Sequence, residues 1–139
     1  MRRRIEPLKP SALAVGALID GSRVFFIVKK NHLGIECLEL PCVLVHGNSD
    51  PVGALKDEFA KIGIDAHVKG IIAQGTHNAG SRKKKHNVPA LVFEVSAKSP
   101  KPSLAPGSGV TGYKWLALEQ ARRMKLSRMS EWLRLGWTN

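Results

Sequence analysis

Residues 40–64 constrain this chain more than any other stretch, because they dictate a strand, a turn and a helix in immediate succession. Val43-Leu44-Val45 is an apolar, mostly β-branched run that extends the strand before it. His46-Gly47-Asn48 makes the turn, since glycine takes the positive φ that a tight reversal needs. Ser49-Asp50-Pro51 starts a helix: a capping side chain precedes proline at the first helical position, where a missing N–H costs nothing. Val52, Leu55, Phe59 and Ile62 then recur at helical spacing, and Gly63 marks the stop. A short helix with one apolar face must lie on something, and the strands around it supply a sheet.

Those strands can be read in order. Residues 13–20 and Arg23–Lys30 flank a turn at Gly21-Ser22, and Asp-Gly between two apolar runs is a strong hairpin signal. Residues 31–34 turn into a third strand, 35–40. After the helix come a strand over 65–73, a polar loop over 74–87, and a strand over 88–96. A loop with three prolines and two glycines spans 97–109. A last strand, Val110–Leu116, leads to helices over 118–125 and 127–135 that end at Gly136. This order predicts an α+β chain, an αβα sandwich around a mixed sheet. Residues 1–10 read as a basic arm and 11–139 as a single domain, long enough to bury a core without staples. At 43% apolar and 24% charged residues the composition is that of a soluble globular protein. No apolar run reaches the ~20 residues of a membrane span, and nothing reads as an export signal, so the chain is expected to be cytoplasmic.

Three features resemble the Nudix hydrolases. The hairpin over 17–30 is similar to the opening of a Nudix domain. Glu39-Leu40-Pro41 stands where that family has E-L-P before its signature box. Tyr113-Lys114-Trp115-Leu116 followed by Leu118-Glu119-Gln120-Ala121 is similar to its closing strand and helix. The box itself, G-x5-E-x7-R-E-U-x-E-E-x-G-U with U a bulky apolar residue, maps onto residues 42–64. Its frame is kept at Pro51, Ala54, Leu55, Glu58, Phe59, Gly63 and Ile64. The loop glycines are replaced by Cys42 and Val43, the first glutamate by Ser49, and the arginine by Asp57. Lys61 falls where the paired glutamates begin, and the motif is one residue short.

The resemblance implies a Nudix fold and, in active members, Mg²⁺ held by box glutamates against a pyrophosphate. The family's four glutamates and one arginine carry three net negative charges. Ser49, Asp57, Glu58 and Lys61 carry one. Glu58 is the surviving candidate for a catalytic or metal role, and Asp57 with Lys61 reads as an ordinary helix-surface ion pair. No cofactor is expected, with Mg or Mn the ion if hydrolysis persists. The family also includes members that lost the box and act in binding or assembly.

Charge points to the partner. The 22 Lys and Arg against 11 Asp and Glu give a net charge of +11, a field that attracts polyanions. Arg82-Lys83-Lys84-Lys85 is the sharpest cluster, because four adjacent cations repel one another unless an anion faces them. The resemblance places this loop beside the substrate cleft. Arg2-Arg3-Arg4 and Arg122-Arg123, with Lys125 and Arg128, add two further clusters. Phe25, Phe26, Phe59 and Phe93 read as core, leaving few aromatics for base stacking, so phosphate-dominated binding is expected. Cys37 and Cys42 read as buried free thiols, and His77 and His86 flank one loop without a metal-ligand spacing.

Three functions follow. The first is a non-catalytic Nudix-fold protein that binds RNA or another polyanion, with a nucleotide as a possible ligand. The second is a divergent Mg-dependent hydrolase of nucleoside diphosphate-linked compounds, with Glu58 assisted by Asp50, Asp57 or Glu94. The third is an interaction module, monomer or homodimer, using Val43-Leu44-Val45 as its contact.

Overall fold

A computed structural model describes residues 9–98, 101–103 and 109–135. Its strands are β1 (Pro10–Asp20), β2 (Arg23–Lys30), β3 (Glu36–Glu39), β4 (Cys42–His46), β5 (His67–Asn78), β6 (Asn87–Ser96) and β7 (Val110–Leu116). Its helices are α1 (Pro51–Lys61), α2 (Leu118–Arg122) and a 3-10 helix, Arg128–Leu135.

Strand β1 is the axis. Every residue from Ala12 to Leu18 is buried, as a strand covered on both faces requires. One edge pairs in parallel with β6, and β5 continues the sheet antiparallel to β6. Along its other edge β1 pairs antiparallel with β4 and then, only at Ile19 and Asp20, with β2. From there β2 diverges and pairs with β3 and β7. The sheet therefore forks, and Leu40-Pro41 carries the chain from one branch to the other. Pro41 has no N–H to give a ladder, and its carbonyl accepts from the Gly16 N–H at 2.8 Å.

Alternation along β1 builds both outer layers. Leu13, Val15 and Ala17 pack with Ala121 of α2 and with Trp132 and Leu133 of the 3-10 helix. Ala12 and Ala14 pack with Leu55, and Leu18 packs with Phe59, both on α1. Gly16 lies directly under that helix, where a Cβ would stand 2.5 Å from Phe59 Cε2. The result is the αβα sandwich with a mixed sheet that the element order implies.

The helix starts as read. Asp50 caps it by accepting the Val52 N–H at 3.0 Å, Pro51 opens it, and Gly63 leaves it at φ +79°. Several boundaries differ from the sequence reading. Strand β1 begins at Pro10, which pairs with His46, three residues before the start expected at residue 13; residues 1–8, where the basic arm was placed, lie outside the described set. Residues 43–45 belong to a separate strand on β1 rather than an extension of β3, because Pro41 breaks the ladder. The loop expected over 74–87 shrinks to eight residues, since β5 runs on to Asn78. Its polar alternation, with Gln74 and Thr76 exposed and Ala73 and His77 buried, is that of a half-solvated strand. The second C-terminal helix is a 3-10 helix, and α2 stops at Arg122.

Candidate functional site

The box segment opens onto a cleft of about 380 Å³ at the fork, lined by Lys29, Glu39, Cys42, Glu58, Lys61 and the apolar Ile27 among others. Strand β2 brings Lys29, β3 brings Glu39, and α1 brings Glu58 and Lys61. Lys29 Nζ lies 2.8 Å from Glu39 Oε2, and the Ser127 hydroxyl donates to Glu39 Oε1 at 2.8 Å. Lys61 Nζ lies 2.8 Å from Glu58 Oε1. Lys61 thus pairs with Glu58, three residues back, rather than with Asp57 as the sequence suggested. The two carboxylates of the cleft are matched by two ammonium groups, and its formal charge is zero.

The pKa shifts follow from this packing. Burial pulls the Lys29 ammonium down, but the hydrogen bond and charge of Glu39, with smaller help from Cys42 and Glu58, hold it above its ordinary value. Lys61 is raised by its hydrogen bond to Glu58 and by that carboxylate's charge. Burial, reinforced by Glu39, pushes the Cys42 thiol up, so it stays protonated and is no nucleophile at neutral pH. Both thiols are free, as expected; Cys37 is buried, but Cys42 is only half-buried because it lines the cleft.

The other acids expected to assist Glu58 are elsewhere. Asp50 is occupied as the helix cap. Asp57 is exposed and lines a shallow surface with Lys56, Ala60 and Gly63. Glu94 shares the face of Val92, which packs toward Trp132 and away from α1. Among the described residues no group of three or more His, Cys, Asp or Glu is arranged to hold a metal ion. Mg²⁺ needs hard anionic oxygens, and here the two carboxylates that line the cleft, Glu39 and Glu58, each already carry a lysine ammonium at hydrogen-bond distance. The residues present do not fit the ion that the box resemblance implies.

The altered loop is also explained. Among the described residues only glycines take positive φ, and Gly47, at +59°, makes the turn while Val43 stays extended in β4. Val43 and Leu44 are half-buried and Val45 is buried, and all three pack against the core, so most of the run's apolar surface is used within the fold.

The basic loop is not at this cleft. Residues 82–85 cap the β5–β6 hairpin, at the end of the sheet where β1 begins; His86 Nε2 lies 2.8 Å from the Pro10 carbonyl oxygen. Six residues of β1, roughly 20 Å at ~3.3 Å each, separate Pro10 from Gly16 beneath Phe59. The loop borders a second groove of about 550 Å³, lined by His77, Asn78, Ser81, Arg82, Arg128 and Glu131 among others. Trp132 forms part of its floor, so this groove lies on the 3-10 helix face, opposite α1. Arg122 is half-buried on α2, its Nε without a hydrogen-bond partner among the described residues, and Arg123 is exposed. Neither lines the cleft or the groove. Arg2, Arg3 and Arg4 lie outside the described residues.

The forked sheet, with a helix entered from Asp50-Pro51 on one side and the closing helices on the other, can be compared with solved structures. It superposes on a UDP-X diphosphatase with a TM-score of 0.66 at 15% identity, covering 94% of this chain and 63% of that one. A Nudix hydrolase from Nitrosomonas europaea gives a TM-score of 0.62 at 13% identity, covering 94% and 92% of the two chains. The chain has the Nudix fold. The Nudix domain of a Shewanella oneidensis protein, solved with ADP ribose, gives 0.56 at 13% identity over 91% and 84%. No protein-family model matches the sequence, and no curated protein does. The chain spans 63% of the diphosphatase's length. At these identities the Nudix likeness is one of fold.

Sequence reasoning missed Lys29 and His77 as site residues and noted Glu39 only as part of E-L-P. A glutamate and a lysine on adjacent strands, Glu39 and Lys29, were the available signal.

Proposed function

We propose that this protein is a Nudix-fold binding protein without pyrophosphohydrolase activity, and that its ligand is a polyanion, RNA foremost. One observation carries the first half: Glu39 and Glu58, the two carboxylates of the box cleft, are each paired to a lysine at 2.8 Å. An Mg²⁺ ion there would have to displace two ammonium groups, with no third carboxylate to compensate. The net charge of +11 and the exposed cations 82–85 support the second half.

The rival reading, a hydrolase of nucleoside diphosphate-linked compounds, draws on the relatives: a UDP-X diphosphatase and a domain that binds ADP ribose share the fold. Its apolar walls, Ile27, Ile62 and Val110, could still receive a nucleotide without cleaving it. Turnover of a nucleotide panel in Mg²⁺ or Mn²⁺ separates the two. The binding reading expects no turnover above background. Cleavage that Glu58→Gln abolishes would overturn it. RNA binding that ignores both salt and the replacement of Lys83, Lys84 and Lys85 by alanine would remove the polyanion half.

A further inference from the structure

We infer that a phosphodiester backbone docks in the groove between the tip of the β5–β6 hairpin and the 3-10 helix, on the sheet face opposite the box cleft. This rests on the polyanion reading above and gives it a site.

The groove is built around a loop held in one shape. Asn78 Oδ1 accepts the Gly80 N–H at 2.9 Å and the His86 N–H at 3.0 Å, tying both ends of the loop to one side chain. Ser81 closes the tip: its N–H donates to the Lys84 carbonyl at 2.9 Å, and its hydroxyl accepts the Lys84 N–H at 2.9 Å. At Gly80 a Cβ would stand 2.1 Å from the Lys84 carbonyl oxygen, so only glycine permits this crossing. Arg128 donates across the groove to the Gly80 carbonyl and fixes the hairpin against the 3-10 helix.

This fixed frame leaves its cations free. Arg82, Lys83, Lys84 and Lys85 are all exposed, and among the described residues none of them forms an ion pair. Holding four like charges in one conformation is unfavourable until an anion sits against them, and a chain of phosphates is a polyanion that can neutralise several of them at once. Arg82 and Arg128 line the groove, and Glu131 is its one acid. Asn78, Ser81 and Thr76 add hydrogen-bonding groups between them.

Among the described residues the groove offers no platform for bases. Its aromatic, Trp132, is only 4% exposed; the indole N–H donates to the Met129 carbonyl, and the ring lies against Gly75. Recognition therefore falls on phosphate, and sequence preference is weak.

The test is binding of fluorescent single-stranded homopolymer RNA, with DNA of equal length, across a salt series. Four or five phosphate contacts give a log–log salt slope of about −3 for a single strand, and the alanine replacement of Lys83, Lys84 and Lys85 together brings it to about −1. Glu131→Gln is the deciding variant. Removing the groove's exposed acid tightens binding by about threefold if phosphate sits there, an outcome no damage to the fold can imitate. Lys61→Ala, in the box cleft, leaves affinity unchanged. RNA and DNA of different base composition bind within a few-fold of each other, and a gap above tenfold would overturn backbone recognition. If the loop variant weakens binding but Glu131→Gln does not strengthen it, the groove assignment fails while the polyanion reading stands. If the unaltered protein binds neither strand at low salt, both fall.

Discussion

Lys29 and Lys61 should be what keeps the box cleft from holding a divalent ion, and replacing both by methionine tests this. Methionine keeps the length of the side chain and removes the charge. Glu39 is 7% exposed and would keep only the Ser127 hydroxyl. Breaking a fully buried pair costs ~3–5 kcal/mol and a surface pair ~0–1, and the Lys29 side chain is 38% exposed. An intermediate ~2 kcal/mol for that pair is the expectation; the exposed Glu58–Lys61 pair adds a few tenths. For a domain of this size that lowers Tm by roughly 7 °C. The variant cleft then carries two negative charges and no cation. With an affinity near 0.5 mM, 5 mM Mn²⁺ restores about 1.4 kcal/mol, or some 5 °C. Thermal denaturation followed by circular dichroism, with and without Mn²⁺, reads both numbers. Because Lys29 is held above its ordinary 10.5 in the folded protein, the pair's contribution is complete below that pH and fades as pH rises through the folded value. The gap between the unaltered protein and Lys29→Met should therefore close in strong alkali. A metal-induced rise in the unaltered protein equal to that in the variant would refute the argument, since the lysines would then exclude nothing.

Two other consequences concern the sandwich. Gly16→Ala drives a methyl to 2.5 Å from a fully buried Phe59 ring, and overpacking of this kind costs ~1–3 kcal/mol, read by urea denaturation. A loss below about 0.3 kcal/mol would show that α1 is free to lift, contrary to the tight contact described. His77 has its pKa lowered by burial first and by Arg128 second, against a smaller pull from Glu131. A depressed histidine contributes stability that is present above its unfolded value of about 6.5 and is lost as pH falls through the folded value. Stability should thus decline below pH 6.5 and His77→Gln should flatten that decline; identical profiles for the two proteins would remove His77 as its source.

Much of the fold was legible because backbone requirements write themselves into single residues. Asp50-Pro51 can start a helix and Gly47 can turn a strand whatever the rest of the chain does, and both stand where the sequence put them. The hairpin at Gly21 and the strand Arg23–Lys30 were readable for the same reason. What failed were features fixed by tertiary contact. Whether residues 74–78 form a loop or a strand depends on pairing with β6, and a polar alternation with one glycine reads either way. The partner of Lys61 depended on the side-chain direction of Glu58 toward the cleft, which spacing alone leaves open. The place of the basic loop depended on the sheet's topology: a parallel β1–β6 pair carries the hairpin tip to the start of β1, away from the fork.

The box therefore carries two separable kinds of constraint. Gly16 under Phe59, Pro41 bonded to Gly16, the Asp50 cap and Gly63 beyond the helix shape the fork through packing, backbone and a single capping hydrogen bond. None of them needs a charge. A divalent ion needs several free oxygen ligands and net negative charge, whereas the lysines at 29 and 61 pair with the two carboxylates of the cleft and bring its formal charge to zero. The same sandwich leaves its opposite face free to carry cations, because the 3-10 helix layer is packed by Trp132 and Leu133 beneath an exposed Arg128. The box cleft is neutral and the tip of the β5–β6 hairpin carries four exposed cations, and the proposal that anions dock at the latter is what the Glu131 and Lys61 variants weigh.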